Sequence, residues 1–107
     1  MKHPAPYLSE TEAPGRADVD ALRGLTLLEF GTDWCGHCRA AQPVVQQALA
    51  QQRQWQHLKV EDGPGRALGR SYRVKLWPTL LALRDGQEVA RVVRPTTVQD
   101  VLAALSS

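Results

Sequence analysis

The amino-acid sequence predicts a single α/β domain in which helices cover both faces of a sheet. Its 107 residues, 43% of them apolar and 22% charged, suffice for one compact globular domain. The run Leu25–Phe30 is apolar nearly throughout, which is typical of a strand buried on both faces. A long helical pattern and further short strands follow this run, and that alternation defines the α/β class.

We assign residues 1–17 to a loop-rich N-terminal segment and residues 18–107 to the single domain. Turn-forming residues interrupt any long element in the first segment: Pro4, Pro6, Pro14 and Gly15. The first helix is predicted at 18–22, and Gly24 ends it. The strand Leu25–Phe30 then follows.

The remaining elements are predicted in the order helix, strand, helix, strand, strand, helix. We expect helices at 35–55, 66–72 and 97–105, and strands at 57–61, 79–83 and 88–93. Asp85-Gly86 between the last two strands is a strong hairpin signal. Thr96 or Thr97 can cap the last helix, and four of its apolar residues share one face: Val98, Val101, Leu102 and Leu105.

The only two cysteines lie in the segment Trp34-Cys35-Gly36-His37-Cys38, directly after the first strand. If a helix begins at Cys35, the two sulfur atoms lie about one turn apart, close enough to bond. The first thiol then occupies the helix N-terminus, where unpaired N–H groups and the helix dipole stabilise a thiolate. A thiolate is the species that attacks a disulfide. The spacing therefore indicates redox chemistry, although two buried structural thiols would share it.

A zinc site is another use of two close cysteines. His37 and His57 would complete the ligand types, but His37 lies between the cysteines and no second paired motif exists. We therefore expect no metal. No glycine-rich loop follows the first strand, so a site for nucleotide phosphate is also unsupported.

Charge and hydropathy predict a cytoplasmic monomer that binds neither nucleic acid nor membranes. The net charge of +2 gives no electrostatic reason to expect a nucleic-acid partner. No apolar stretch is long enough to span a membrane, and the first residues lack the apolar core of a secretory signal. A periplasmic location would apply if a leader had been removed from the chain.

Three separated signatures resemble the thioredoxin family, and the match extends over about residues 18–105. They are Trp-Cys-x-x-Cys after an apolar strand, Pro43 five residues after the second cysteine, and Trp77-Pro78-Thr79, which resembles the family's cis-proline loop. The resemblance implies the thioredoxin fold, a central mixed β-sheet flanked by helices on both faces. It also implies a thiol–disulfide oxidoreductase that uses a Cys35–Cys38 disulfide and no other cofactor.

The active-site segment combines features of different members of that family. Gly-His between the cysteines is similar to protein disulfide isomerase, and Glu29 also matches the isomerase pattern. Gly31 departs from the family, since an aromatic residue commonly occupies that position. Arg94 departs from it as well, because thioredoxins usually carry a glycine there, on the surface that faces the substrate.

The resemblance assigns catalytic roles to several residues. Cys35 is expected to attack the substrate disulfide, and Cys38 to resolve the mixed disulfide that results. A protonated His37 would stabilise the Cys35 thiolate and make the disulfide more oxidising; alternatively, His37 faces solvent with little effect. Glu29 is expected to have a raised pKa through burial and to exchange protons with Cys38. Lys59 matches the family's partner for that acid, unless it faces solvent.

Further residues are assigned to the substrate-binding surface: Trp34, Gly36, Trp77, Pro78 and Arg94. The resemblance implies a cis peptide bond before Pro78 and pairing between the backbone of residue 77 and an extended substrate segment. Either tryptophan side chain could instead serve only for packing.

The sequence thus predicts an enzyme that exchanges disulfides with disulfide-containing or dithiol proteins. The expected recycling partner is a thioredoxin reductase or glutathione. Two other functions remain open: a binding module of the same fold, and a narrow redox adaptor for one partner enzyme or stress pathway.

Overall fold

The computed structural model describes residues 5–107, which form a four-stranded sheet with helices on both faces. The elements are α1 (Arg16–Asp20), β1 (Leu25–Gly31), α2 (Gly36–Gln51), β2 (Gln56–Glu61), α3 (Ala67–Ser71), β3 (Thr79–Arg84), β4 (Gln87–Val93) and α4 (Val98–Leu105). The strand order is β2-β1-β3-β4. β1 and β2 are parallel, whereas β3 is antiparallel to both β1 and β4. This is the mixed sheet that the sequence predicts.

Two apolar layers cover the central strand β1, one on each face. On one face Leu27 packs in a cluster with Val45 of α2 and Val101 of α4. On the other face Leu28 packs in a cluster with Val19 of α1. Alternate residues of a strand point to opposite faces, so an all-apolar strand is the sequence expected between two helical layers. A polar residue facing either layer must find its hydrogen-bond partners inside the protein.

The long helix α2 ends four residues earlier than the sequence predicts, at Gln51 rather than 55. Gln52 leaves the helical conformation with φ −133°, and the Trp55 N–H bonds the carbonyl of Gln52 at 3.2 Å. This turn carries the Trp55 side chain into the apolar layer between α2 and the sheet, where it is buried. Burial of a large aromatic side chain stabilises the fold. The helix therefore ends before Trp55, although the sequence here contains no stop signal.

Residues 7 and 8 extend the sheet beyond β2. The Leu8 N–H bonds the carbonyl of Lys59 at 2.9 Å, and the Glu61 N–H bonds the carbonyl of Leu8 at 2.9 Å. Leu8 thereby forms a parallel bridge with Val60. The neighbouring Tyr7 side chain is buried, at 6% exposure. The N-terminal segment therefore contributes a buried aromatic side chain to the face of the sheet that α2 covers.

The hairpin between β3 and β4 turns at Asp85 and Gly86, whose φ angles are 50° and 79°. Both angles are positive, as the favoured two-residue turn requires. Asp85 holds the turn against the start of β1, because its Oδ1 atom accepts the Gly24 N–H at 2.8 Å. Gly86 lies against the end of α1, where an added Cβ would be 2.1 Å from the Asp20 carbonyl oxygen.

None of the helices within residues 5–107 has the length and apolar content needed to cross a membrane.

We predict that Gly86→Ala destabilises the protein by about 2–4 kcal/mol, because it adds a backbone collision to the cost of a positive φ. Gly65→Ala is the matched control, since Gly65 has φ +80° but an added Cβ would meet nothing within 4 Å. That control should cost only about 1–2 kcal/mol. Urea unfolding of both variants measures the difference. Equal losses would show that the contact between the hairpin and α1 has no energetic effect.

Candidate active site

The two cysteines lie at the start of α2, as predicted. Cys35 is the N-cap residue, with φ −77° and ψ 123°, and Gly36 is the first helical residue. The Cys38 N–H donates a hydrogen bond to Cys35 Sγ at 3.2 Å, so the sulfur satisfies one of the free N–H groups of the first turn. The sulfur of Cys35 therefore lies at the positive end of a 16-residue helix, a position that favours the thiolate.

The environments of the two thiols differ. Both are free, but Cys35 is 8% exposed and Cys38 is only 1% exposed. Burial raises the pKa of Cys38 to about 12, and a hydrogen bond with Cys35 adds to this rise, although Thr32 and Tyr7 oppose it by hydrogen bonding. Cys38 is therefore a neutral thiol near neutral pH and must lose a proton before it can act as a nucleophile.

Glu29 projects from β1 toward α2 and is fully buried, at 0% exposure. Three side chains donate to its carboxylate. Gln42 Nε2 of α2 lies 2.9 Å from Oε2, and His57 Nε2 of β2 lies 2.8 Å from Oε1. The Tyr7 hydroxyl, from the N-terminal segment, donates to Oε2 as well. A buried carboxylate needs such donors, because leaving one unpaired costs several kcal/mol.

These donors reverse the pKa shift that burial alone would cause. Burial raises the pKa of Glu29, but the hydrogen bond and charge of His57, together with hydrogen bonds from Tyr7 and Gln42, lower it further than burial raises it. The net pKa lies below the ordinary value of 4.5. The prediction of a raised pKa was therefore wrong, because it considered burial without the donors. Near neutral pH Glu29 is an ionised carboxylate, able to accept a proton.

Lys59 is buried near Glu29, and Gln42 lies between the two side chains. Lys59 Nζ donates to Gln42 Oε1 at 2.9 Å, while the amide nitrogen of Gln42 donates to Glu29. Lys59 Nζ also donates to the carbonyl of Ala5 and lies 4.3 Å from the centre of the Tyr7 ring. The sequence alternative in which Lys59 faces solvent does not hold, since its exposure is 6%. The Gln42 amide therefore bridges Lys59 and Glu29 by one hydrogen bond at each of its polar atoms.

The two tryptophans lie side by side at the edge of the site. Their rings meet edge to face, with centroids 5.8 Å apart and planes at 82°. Trp77 packs against the cluster formed by Tyr7 and the two cysteines, and its Nε1 donates to Asp62 Oδ2 at 2.9 Å. Trp34, by contrast, is 73% exposed. Trp77 is thus fixed in place, and Trp34 presents an apolar surface to solvent.

The peptide bond between Trp77 and Pro78 is cis, as predicted. Arg94 lies on the same surface: its N–H bonds the carbonyl of Pro78 at 2.9 Å, and its Nε bonds the carbonyl of Trp77 at 2.8 Å. A substrate segment that paired with the Trp77 carbonyl would share it with Arg94. The structure therefore places Arg94 beside the cis-proline loop, which holds its side chain; its contact with substrate stays a prediction.

His37 and Gly36 occupy the first turn of α2, and both are exposed. An added Cβ on Gly36 would meet nothing within 4 Å, so this glycine leaves an open surface beside the thiols. Within residues 5–107, no group of three His, Cys, Asp or Glu side chains could hold a metal ion.

Sequence analysis missed two residues of this site, Tyr7 and Gln42, and it considered His57 only as a zinc ligand rather than as a partner of Glu29. Two of these three residues carry a signal, since Gln42 lies four residues after Cys38 on the same face of α2, and His57 lies two residues before Lys59 on the same face of β2. Tyr7 carries an indirect signal, the glycine at position 31. A Cβ there would lie 2.7 Å from the Tyr7 hydroxyl oxygen, so the tyrosine occupies the space that Gly31 leaves.

The mixed sheet, the paired thiols at a helix N-terminus and the cis-proline loop together define a dithiol–disulfide oxidoreductase domain. The family model described as Thioredoxin matches residues 9–107, and the chain belongs to the thioredoxin family. Its activity is that of a thiol–disulfide oxidoreductase, and its reactive group is the cysteine pair itself.

Known proteins similar to this chain include thioredoxins from several bacteria. Thioredoxin from Chlamydia pneumoniae is 36% identical over 70 residues, which cover 65% of this chain and 69% of that protein. The bifunctional thioredoxin reductase/thioredoxin of Mycobacterium leprae is 31% identical over 84 residues, 78% of this chain but only 18% of that protein. The structure of reduced thioredoxin 2 from Pseudomonas aeruginosa PAO1 matches with a TM-score of 0.84 and 56% identity, over 95% of this chain and 93% of that chain.

We predict that ionised Glu29 stabilises the fold and that acid removes this stabilisation. Because its folded-state pKa lies below 4.5, the contribution is complete above that pH and is lost as the pH falls through the lowered pKa. Glu29→Gln should therefore be about 1–3 kcal/mol less stable at neutral pH, since an amide N–H₂ cannot accept from the surrounding donors. It should also lose less stability in acid than the unsubstituted protein.

Urea unfolding across the acid range tests this expectation, with Glu10→Gln as the control at an exposed carboxylate. The control should follow the unsubstituted protein within about 0.5 kcal/mol. A Glu29→Gln variant of unchanged stability and unchanged acid sensitivity would contradict the prediction.

Proposed function

We propose that the chain reduces and exchanges protein disulfides, with Cys35 as the attacking thiolate and Cys38 as the resolving thiol. The observation that carries this assignment is the difference between the two sulfurs at the start of α2. Cys35 is the more exposed and lies at the N-cap, whereas Cys38 is buried with a raised pKa. A binding module would not need this pair of thiols within bonding reach of each other.

The proposed reaction has two exchange steps. The Cys35 thiolate attacks one sulfur of the substrate disulfide, and the other substrate sulfur leaves with the electron pair as a thiolate. Cys38, once deprotonated, attacks Cys35 Sγ. The Cys35–Cys38 bond then forms and the first substrate sulfur leaves as the second thiolate. The substrate gains two electrons, and the dithiol of this chain becomes a disulfide.

A surface of exposed apolar side chains beside the thiols supports a protein substrate. Trp34 is 73% exposed, and Leu76, next to the cis-proline loop, is 50% exposed. Val93, next to Arg94, is 43% exposed. We propose that an extended substrate segment lies across these side chains and the Trp77-Pro78 loop, with its disulfide directed to Cys35.

Renewed turnover requires electrons for the Cys35–Cys38 disulfide, and we propose a thioredoxin reductase as their source. The Mycobacterium leprae relative supports this choice, because its name combines the two proteins. Glutathione is the alternative donor. We further propose that the chain acts as a monomer in the cytoplasm. All side chains of the site come from one chain, and a reducing compartment suits a dithiol.

We predict that Cys35→Ser abolishes the reduction of insulin disulfides, because no thiolate remains at the helix N-terminus. Cys38→Ser should instead accumulate a mixed disulfide with the substrate, since the resolving sulfur is absent. Turbidity of insulin and mass spectrometry of the trapped species measure the two outcomes. Full activity of Cys35→Ser, or mixed disulfides on Cys38 rather than Cys35, would reverse the assignment.

We also predict that His37→Pro lowers the reduction potential by a few tens of millivolts, on a scale where 30 mV corresponds to about 1.4 kcal/mol. A cationic imidazole in the first turn favours the thiolate, and its removal favours the disulfide. Equilibration with glutathione measures the potential. His37→Gln is the control that removes the imidazole but keeps the backbone N–H, and it should shift the potential in the same direction. An unchanged or more oxidising His37→Pro protein would refute the effect.

A further inference from the structure

The resolving thiol needs a route for its proton. Cys38 is 1% exposed, and its pKa is raised to about 12. Glu29 is also buried, but its carboxylate is ionised, and it is the base that the site provides. The oxygens of Glu29 contact Tyr7, Gln42 and His57, so these three side chains are the candidates to connect the carboxylate to the thiol.

The Tyr7 hydroxyl contacts the carboxylate and borders the same space as the thiol. It donates to Glu29 Oε2, and its side chain packs in one buried cluster with Cys35 and Cys38. An added Cβ on Gly31 would be 2.6 Å from Cys38 Sγ and 2.7 Å from the Tyr7 hydroxyl oxygen, so both atoms border the same small space. Gln42 donates to the carboxylate through its amide, which has no proton to exchange at ordinary pH.

We propose that Tyr7 is a catalytic residue that carries the proton of Cys38 to Glu29 during resolution of the mixed disulfide. The hydroxyl accepts the Cys38 proton on its oxygen while it gives its own proton to Glu29 Oε2. This proposal rests on the proposed roles of Cys35 and Cys38.

The step balances in atoms and charge. Before it, Cys38 is a thiol, Tyr7 a phenol and Glu29 a carboxylate. After it, Cys38 is a thiolate, Tyr7 is again a phenol and Glu29 is a carboxylic acid. The Cys38 thiolate then attacks Cys35 Sγ, the bond between Cys35 and the substrate breaks, and the substrate sulfur leaves with the electron pair.

The ionisation behaviour of Tyr7 suits a relay in which both protons move together. Burial raises the pKa of its hydroxyl, and the charge of Glu29 and the hydrogen bond to it raise that pKa further. The tyrosinate is therefore not formed as a separate species. A hydroxyl both accepts and donates a proton, so a phenol can transmit one without ionising.

Three contacts hold the backbone and ring of Tyr7 and thereby position its hydroxyl. The Tyr7 N–H donates to Asp33 Oδ1 at 3.3 Å, and the following residue, Leu8, pairs with β2. The ammonium group of Lys59 lies 4.3 Å from the centre of the ring, which adds a cation–π attraction. A side chain held in this way is suited to a proton transfer that depends on distance.

The test separates attack from resolution with dithiobis(nitrobenzoate) as the disulfide. Attack by Cys35 releases one nitrothiobenzoate, and resolution by Cys38 releases the second, so stopped-flow absorbance records two phases. Tyr7→Phe keeps the ring and removes the hydroxyl. We expect an unchanged first phase and a second phase slowed about a hundredfold.

Tyr72→Phe is the matched control, because its hydroxyl is buried without a partner among the described residues, on the opposite face of the sheet. Both of its phases should be unchanged.

A second measurement uses the unsubstituted protein, so it does not depend on how Tyr7→Phe folds. The rate of the second phase in mixtures of light and heavy water should follow a curved dependence, since two protons move in one step. A linear dependence, or a Tyr7→Phe protein with a normal second phase, would overturn the relay. If the unsubstituted protein showed no first phase at all, the proposed role of Cys35 would fail instead.

Discussion

The buried carboxylate of Glu29 is the constraint on which the rest of the site depends. A charge without access to water must be matched by donors within the protein, or it costs several kcal/mol. The donors come from three parts of the chain: Tyr7 before the first helix, Gln42 in α2 and His57 in β2. Their hydrogen bonds fix the helix that carries the cysteines to the strand that carries the acid. The chemistry and the local architecture therefore share one set of contacts.

The parts of this structure that could be predicted depend on local signals. β1 is recognisable because its sequence is apolar nearly throughout, and six of its seven residues are buried. α4 is recognisable because its apolar residues recur on one face, and the hairpin because Asp85-Gly86 is a pair that favours positive φ. The cysteines and the cis bond before Pro78 follow from short motifs. The prediction of a raised pKa for Glu29 failed because that pKa depends on distant residues. Its three hydrogen-bond partners lie 13 to 28 positions away in the chain. No local pattern reports contacts over that separation.

Lys59 shows how a correct register can still mislead about a contact. Glu29 and Lys59 are partners in the parallel pairing of β1 and β2, and both are buried. The Gln42 amide lies between them, however, and bonds each side chain through one of its two polar atoms. An amide in this position separates two opposite charges and still satisfies both. Strand pairing alone cannot reveal it, because it comes from a helix above the sheet.

The pairing of Leu8 with the outer edge of β2 has a practical consequence for anyone who trims this protein. The part that matches the family begins at residue 9, two positions after Tyr7. A chain shortened to that boundary would retain every strand and helix, both cysteines and the cis-proline loop. It would nevertheless lose an aromatic ring from beside the thiols, leave a void against Gly31, and remove one donor from Glu29.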